Sequence, residues 1–180
     1  SKEWDNVIPT PTEENPIALF PASRNLINID PIDLKITGPA FKKSIMAINA
    51  AGYELCIIDS PPALGNRMRA GILSSDFILG PIKVDQFSID GIQHLMETVK
   101  LARQINRKVQ FLGMVANMVD RRDREQIKNL MDLRKAYGNF LLPATIGSRN
   151  TFQISINKRI PLWKVRRSTA GEAKREMIAL

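Results

Sequence analysis

The sequence has very little cysteine or histidine, with one residue of each among 180. Cys56 cannot form an internal disulfide, so we expect a chain that works in a reducing compartment, the cytoplasm. A lone histidine with no cysteine or carboxylate cluster beside it does not predict a metal site. No run of 18 apolar residues occurs, so we expect no membrane-spanning helix.

A further absence concerns nucleotide chemistry. The pattern G-x-x-x-x-G-K-[ST], whose backbone amides and lysine hold nucleotide phosphates, does not occur in these residues. Any nucleotide site that uses this chain therefore needs a phosphate-binding loop from elsewhere, or the chain is a relative that has lost its nucleotide site.

Acidic residues are scarce in one part of the chain only. Residues 1–100 carry a net charge of −3 and residues 101–180 a net charge of +11, within an overall +8. Such an asymmetry indicates a polyanionic partner, most often nucleic acid, because clustered lysine and arginine attract phosphates. The alternative is a basic surface that only keeps the protein in solution.

Hydrophobic patterns alternate between strands and helices along the chain. This alternation predicts an α/β fold: a doubly wound, mainly parallel sheet with helices on both faces. We expect a single domain over residues 1–180, with a loop or entry segment at 1–16. The predicted strands cover residues 17–21, 54–59, 77–82, 109–117 and 141–146, the last at a sheet edge because it contains proline. The predicted helices cover residues 39–51, 64–72, 89–105, 123–136 and a last stretch from 169.

The stretch at residues 53–62 organises the rest. Its apolar run has no alternation, as in a strand covered on both faces, and it ends in Asp59. Ligands of open α/β sheets bind at the carboxyl ends of the strands, where a carboxylate can hold hydrated Mg²⁺ beside a nucleotide phosphate. The alternative is an acid that merely ends the strand or caps the next helix.

The same stretch resembles a known family. Ile57-Ile58-Asp59-Ser60-Pro61-Pro62 is similar to the Walker B segment of the ParA/MinD family of deviant P-loop ATPases. The likeness continues in Pro21-Ala22-Ser23 and in residues 81–91, which are close to the partition protein ParA. The resemblance implies a P-loop NTPase-like fold that here lacks the first strand and the P-loop.

The resemblance also implies roles for three residues of a nucleotide site. Asp59 would support Mg²⁺ through a water molecule. Ser88 lies in a loop that approaches the nucleotide and the dimer partner in relatives, with a cap of the following helix as the alternative role. Asn117 takes the position of an asparagine that hydrogen-bonds adenine, with a turn-forming asparagine as the alternative.

Two arginines match positions that the family uses to contact DNA. Met118-Val119-Asp120-Arg121-Arg122 resembles the motif Met-x-Asp-x-Arg, which places Arg122 at a DNA-contacting position. Residues 145–149 resemble a segment with Ile-Pro-Arg that supplies Arg149, although Gly147 stands where the family usually has proline. The further DNA-binding candidates are Lys158, Arg159, Arg166 and Arg167.

Three functions follow. The first is a ParA-like partition ATPase, cytoplasmic and nucleoid-associated, that binds ATP and Mg²⁺ as a homodimer, binds double-stranded DNA without sequence preference, and answers to a ParB-like centromere-binding protein. The second is a basic DNA-binding or regulatory module without nucleotide chemistry. The third, a MinD-like membrane-cycling protein, ranks last because the C-terminal stretch is short for a membrane-targeting helix.

Overall fold

A computed structural model describes residues 8–61, 65–84, 89–166 and 170–180. The helices are α1 (Leu34–Ala50), α2 (Asn66–Leu73), α3 (Ile89–Ile105), α4 (Arg124–Tyr137), α5 (Asn150–Lys158) and α6 (Ala170–Ile178). The strands are β1 (Phe77–Lys83), β2 (Gln110–Val119) and β3 (Leu141–Gly147), and short 3₁₀ helices cover Arg24–Ile29 and Leu162–Lys164. No helix among the described ranges is both long enough and apolar enough to cross a bilayer.

The sheet confirms the predicted α/β fold. Its strands lie in the order β1-β2-β3, and β2 and β3 run parallel, with Met114 opposite Leu141 and Val119 opposite Gly147. Helices cover both sides of this parallel sheet. All three strands were predicted from the sequence, and β3 is an outer strand of this order, as its proline indicated.

Two predicted strands are wrong. Residues 17–21 and 54–59 do not pair with another strand among the described residues. Ile17 and Leu19 are 84% and 87% exposed, and Leu55 and Ile57 are 77% and 85% exposed, so the apolar run is not covered on both faces. Cys56, expected inside this strand, is exposed as well. An extended segment becomes a strand only when a neighbour takes up its backbone hydrogen bonds, and composition alone cannot supply that neighbour.

The chain forms two compact units: residues 1–76 with 98–110, and residues 77–97 with 111–180. The prediction of one domain stays a prediction. In the first unit α1 begins at Leu34 rather than at Pro39, because the Asp33 side chain caps it by accepting from the Lys35 amide at 2.9 Å. Gly38 permits close packing of α1 on α2, since a Cβ there would lie 2.6 Å from Leu73 Cδ2.

The second unit contains the main hydrophobic core. Side chains from β1, β2, α3, α4 and β3 meet there with Val84, which follows β1, and are buried together: Ile82, Ile92, Met114, Ala116, Val119, Leu133 and Leu141. Helix α4 begins where predicted, because Asp123 accepts from the amides of Glu125 and Gln126 at 2.9 and 3.3 Å. Strands β2 and β3 contribute to this core, and Arg122 and Arg149 follow their carboxyl ends.

Candidate nucleic-acid interface and nucleotide residues

Asp59 lies in the first unit, in a segment without regular secondary structure before α2, and it is exposed. The segment is anchored by Ile58, which is half-buried and faces Gly71 of α2: a Cβ on Gly71 would lie 3.6 Å from Ile58 Cγ2. Asp59 therefore follows an anchored residue and presents its carboxylate to solvent. An exposed carboxylate of this kind is better suited to bind a hydrated cation than to form a buried ion pair.

Asn117 lies near the end of β2 in an irregular stretch of strand. Its Oδ1 accepts from the amide of Met118 at 2.9 Å, and Met118 has a φ of 57°, which is rare for a residue with a side chain. The register between β2 and β3 shifts between Ala116 and Val119, so the strand bulges at this point. The local hydrogen bond is the role expected of a turn-forming asparagine, and contact with adenine stays a prediction.

Two predicted site residues lie outside the described residues. Ser88 belongs to the range 85–88 and Arg167 to the range 167–169, so the structure places neither. The predicted roles of Ser88 beside a nucleotide and of Arg167 beside DNA therefore stay predictions.

Arg122 follows β2 and projects into solvent. Its side chain is 91% exposed and makes a forked contact with Asp120, Nε to Oδ1 at 3.2 Å and Nη2 to Oδ2 at 3.3 Å. Hydrogen bonds from Arg122 hold the pKa of the Asp120 carboxyl below its ordinary value. An ion pair this exposed contributes little to stability, so Arg122 remains available to another anion.

Arg149 has a different environment, because its guanidinium is enclosed by two carboxylates of α6. Nη2 donates to Glu176 Oε1 at 2.7 Å, Nε donates to Glu176 Oε2 at 3.2 Å, and Nη1 contacts Glu172 Oε2 at 2.7 Å. Only 15% of the Arg149 side chain is exposed. The structure therefore places the predicted DNA contact Arg149 in an ion-pair cluster rather than on an open surface.

Glu176 is the centre of this cluster. Besides Arg149 it accepts from the Gly147 amide at 3.0 Å and from Arg121 Nη2 at 3.2 Å, and its side chain is 10% exposed. Burial alone would raise the pKa of Glu176, but the hydrogen bonds from Arg149 and Gly147 and the charges of Arg149 and Arg121 lower it overall. Gly147 suits this place because its amide donates to Glu176, which a proline could not do.

The cluster borders a cavity of about 380 Å³ beside the end of β3, lined in part by Arg121, Thr145, Arg149, Glu172, Arg175 and Glu176. Sequence reasoning identified the arginines but missed the two glutamates. A signal for them existed, because Glu172 and Glu176 are four residues apart on one helix face and are the only acids in residues 151–180.

The remaining predicted basic residues that the structure describes are exposed. Lys158 ends α5, and Arg159 closes that helix with a left-handed backbone, φ 52°, while its amide donates to Ile156 O at 3.1 Å. Arg166 follows the second 3₁₀ helix and is exposed. Among the predicted DNA-binding residues that the structure describes, Arg149 is enclosed and the others are exposed.

A protein-family model described as an AAA domain matches residues 2–111. The protein IncC of Escherichia coli is 34% identical over 168 residues, which cover 93% of this chain and 47% of IncC. The chromosome partitioning protein ParA of Caulobacter vibrioides is 27% identical over 140 residues, 75% of this chain and 52% of ParA.

This chain belongs to the ParA/MinD family of P-loop ATPases. It spans about half the length of the curated relatives it matches. The fold agrees with this assignment. A plasmid partition protein from Borrelia burgdorferi superposes with a TM-score of 0.65 at 17% identity, covering 91% of this chain and 61% of that one. Cobyrinic acid a,c-diamide synthase from Mycobacterium smegmatis, solved with ADP and magnesium, superposes with a TM-score of 0.67 at 20% identity, covering 81% of this chain and 60% of that one.

Proposed function

We propose that this chain works as part of a ParA-like partition ATPase that binds ATP as a homodimer and binds double-stranded DNA without sequence preference. The observation that carries the proposal is the similarity to IncC and to ParA over 93% and 75% of this chain. The concentration of positive charge in residues 101–180 supports the DNA-binding part independently, because it does not depend on any relative.

ATP and Mg²⁺ are the proposed cofactors, and the residues present fit part of their site. Asp59 is exposed and follows Ile58, which faces α2, so its carboxylate is open to a water molecule of hydrated Mg²⁺. No group of three histidine, cysteine or carboxylate side chains in the described part of the chain could hold a metal directly. Mg²⁺ keeps several waters and takes other oxygens from nucleotide phosphates, so a carboxylate that acts through water is a suitable protein ligand. The cation, when bound, would neutralise charge that develops on the phosphates.

DNA is the proposed polyanion, and Arg122 is its most accessible candidate contact. A guanidinium that is 91% exposed and paired with the nearby Asp120 carboxylate can exchange that carboxylate for a phosphate at little cost. Lys158, Arg159, Arg166 and Arg167 would add further phosphate contacts. Lysine and arginine side chains in such a scattered arrangement bind the sugar-phosphate backbone, which carries no sequence information, so binding without sequence preference is expected.

The proposed protein partners are a ParB-like centromere-binding protein and a second copy of the protein. The proposed location is the cytoplasm, in association with the nucleoid. These follow from the same similarity to partition proteins. The competing function is a basic DNA-binding module without nucleotide chemistry. It differs in one measurable respect, since its binding to DNA would not respond to ATP.

The test measures fluorescence anisotropy with two unrelated DNA duplexes across a salt series, using the complete protein with and without ATP. Removing one phosphate-binding side chain should make the log–log salt slope shallower by about one unit. Arg122→Ala and Arg149→Ala should each weaken DNA binding while ATP binding survives. For each variant, the loss of affinity should be similar for the two duplexes. Arg107→Ala is the matched control, because Arg107 is an exposed arginine that is not among the predicted DNA-binding residues.

Three results would count against the proposal. Binding that does not depend on salt would exclude phosphate contacts. A preference for one duplex that disappears in a single variant would indicate base reading. Equal binding with and without ATP would favour the module without nucleotide chemistry.

A further inference from the structure

We propose that helix α6 masks Arg149 from DNA, so that Glu176 and Glu172 act as an internal substitute for DNA phosphates and must be displaced when DNA binds. This inference rests on the proposed DNA-binding function and concerns its regulation. It assigns to α6 a role that neither the charge pattern nor the family resemblance indicates.

Arg149 cannot bind the α6 carboxylates and a DNA phosphate at the same time. A guanidinium has five N–H groups on Nε, Nη1 and Nη2. In Arg149 all three nitrogens contact α6 carboxylates, at 3.2 Å from Nε, 2.7 Å from Nη1 and 2.7 Å from Nη2. The side chain is 15% exposed, so too little of it reaches solvent for a forked contact with a phosphate.

The α6 carboxylates resemble DNA phosphates as hydrogen-bond acceptors. A carboxylate and a phosphate both accept parallel hydrogen bonds from the fork of a guanidinium. Glu176 uses both of its oxygens on Arg149 in this way, and it also holds Arg121 through Oε1. Displacing one helix would therefore release two arginines together, and the 64% exposed side chain of Arg121 would become free to bind a phosphate.

Helix α6 buries little apolar surface that could hold it in place. Its buried residues are Ala170 and Ala173, whose side chains are single methyl groups. Its larger apolar residues Met177 and Ile178 are 46% and 72% exposed. Docking of α6 thus depends strongly on the ion pairs of Glu172 and Glu176, which are the interactions that a polyanion competes for.

The consequence is an affinity set by a pre-equilibrium. If DNA binds only the state in which α6 has released Arg149, the apparent dissociation constant is the intrinsic one divided by the population of that state. Weakening the ion pairs of Glu172 and Glu176 with Arg149 raises the population of the released state. DNA binding then becomes tighter, although no new contact to DNA has been added.

The experiment compares Glu176→Gln with Glu125→Gln in the complete protein with ATP, using the anisotropy assay on two duplexes. Glu125 is an exposed glutamate at the start of α4, next to Arg124, so its replacement reports the general effect of removing one negative charge. We expect Glu176→Gln to tighten DNA binding about fivefold or more relative to Glu125→Gln, the usual range for coupling between two sites. Adding Arg149→Ala to Glu176→Gln should remove that gain and make the salt slope shallower by about one unit.

Glu172→Gln and hydrogen exchange at Gly147 test the same proposal if Glu176→Gln fails to fold. Glu172 is 54% exposed, so Glu172→Gln should fold even if Glu176→Gln does not, and it should tighten DNA binding in the same direction by a smaller factor. Hydrogen exchange of the Gly147 amide, which donates to Glu176, should speed up when DNA is added to the unmodified protein.

The outcomes separate the two proposals. If no variant binds DNA, the proposed function fails. If the unmodified protein binds DNA but Glu176→Gln and Glu172→Gln bind no better than Glu125→Gln, or DNA slows exchange at Gly147, then α6 does not mask Arg149 and the DNA-binding function stands.

Discussion

Replacement of Gly113 by alanine tests how β2 and β3 are joined, and β3 leads directly to Arg149. Gly113 has a φ of +127°, a conformation that residues with a side chain rarely adopt. A Cβ at this position would also lie 2.7 Å from the backbone oxygen of Phe140, which is well inside van der Waals contact. The same oxygen accepts a hydrogen bond from the Met114 amide at 2.6 Å.

These features give a magnitude. A non-glycine residue held in such a conformation costs about 1–3 kcal/mol, and moving the Phe140 carbonyl weakens a backbone hydrogen bond worth about 0.5–1.5 kcal/mol. We expect Gly113→Ala to lower the free energy of unfolding by about 2–4 kcal/mol. The assay is urea unfolding followed by circular dichroism, with hydrogen exchange of the Met114 amide as a local measurement.

Gly80→Ala is the matched control, because Gly80 is also a strand glycine but lacks the positive φ. A Cβ there would lie 3.2 Å from Leu95 Cδ2, the end of a flexible side chain that can move. We expect a cost of about 1 kcal/mol or less, since the reduced freedom of alanine in the unfolded chain offsets part of the crowding. Equal costs for the two variants would show that the backbone at Gly113 is not constrained as described.

Two further predictions concern the nucleotide residue and the α6 cluster. Asp59→Ala should leave folding nearly intact, because Asp59 is exposed, and should strongly depress ATP hydrolysis by the complete protein; equal hydrolysis by variant and parent would remove Asp59 from the mechanism. The pKa of Glu176 lies below its ordinary value of 4.5 in the folded protein. The ionised Glu176 side chain therefore stabilises the protein above pH 4.5, and this stabilisation is lost as the pH falls through the folded pKa. Urea unfolding at pH 6 and at pH 3.5 should therefore show a smaller acid destabilisation for Glu176→Gln than for the parent, and an unchanged destabilisation would mean that Glu176 does not titrate differently on folding.

The family and the α/β fold were predictable from short local patterns. The strands at β1, β2 and β3 each carry a dense apolar run, and each becomes a strand because a neighbouring strand is present to complete its hydrogen bonds. Helix α4 begins after Asp123 because the Asp123 side chain caps the free amides of the next residues. Such a cap depends only on residues that are neighbours in the sequence. The stretch Ile57–Pro62 and residues 81–91 together suggested the family to which the chain belongs.

Burial and partnership were decided by the tertiary structure. Residues 54–59 have the composition of a buried strand, yet Leu55 and Ile57 are exposed, because coverage depends on distant segments that the local pattern does not specify. Arg122 and Arg149 are the same residue type and were predicted alike from motifs, but one is 91% exposed and the other 15%. The difference arises because α6, which follows more than twenty residues later, brings Glu172 and Glu176 against Arg149, and a contact between residues so far apart in the chain exists only once the chain has folded.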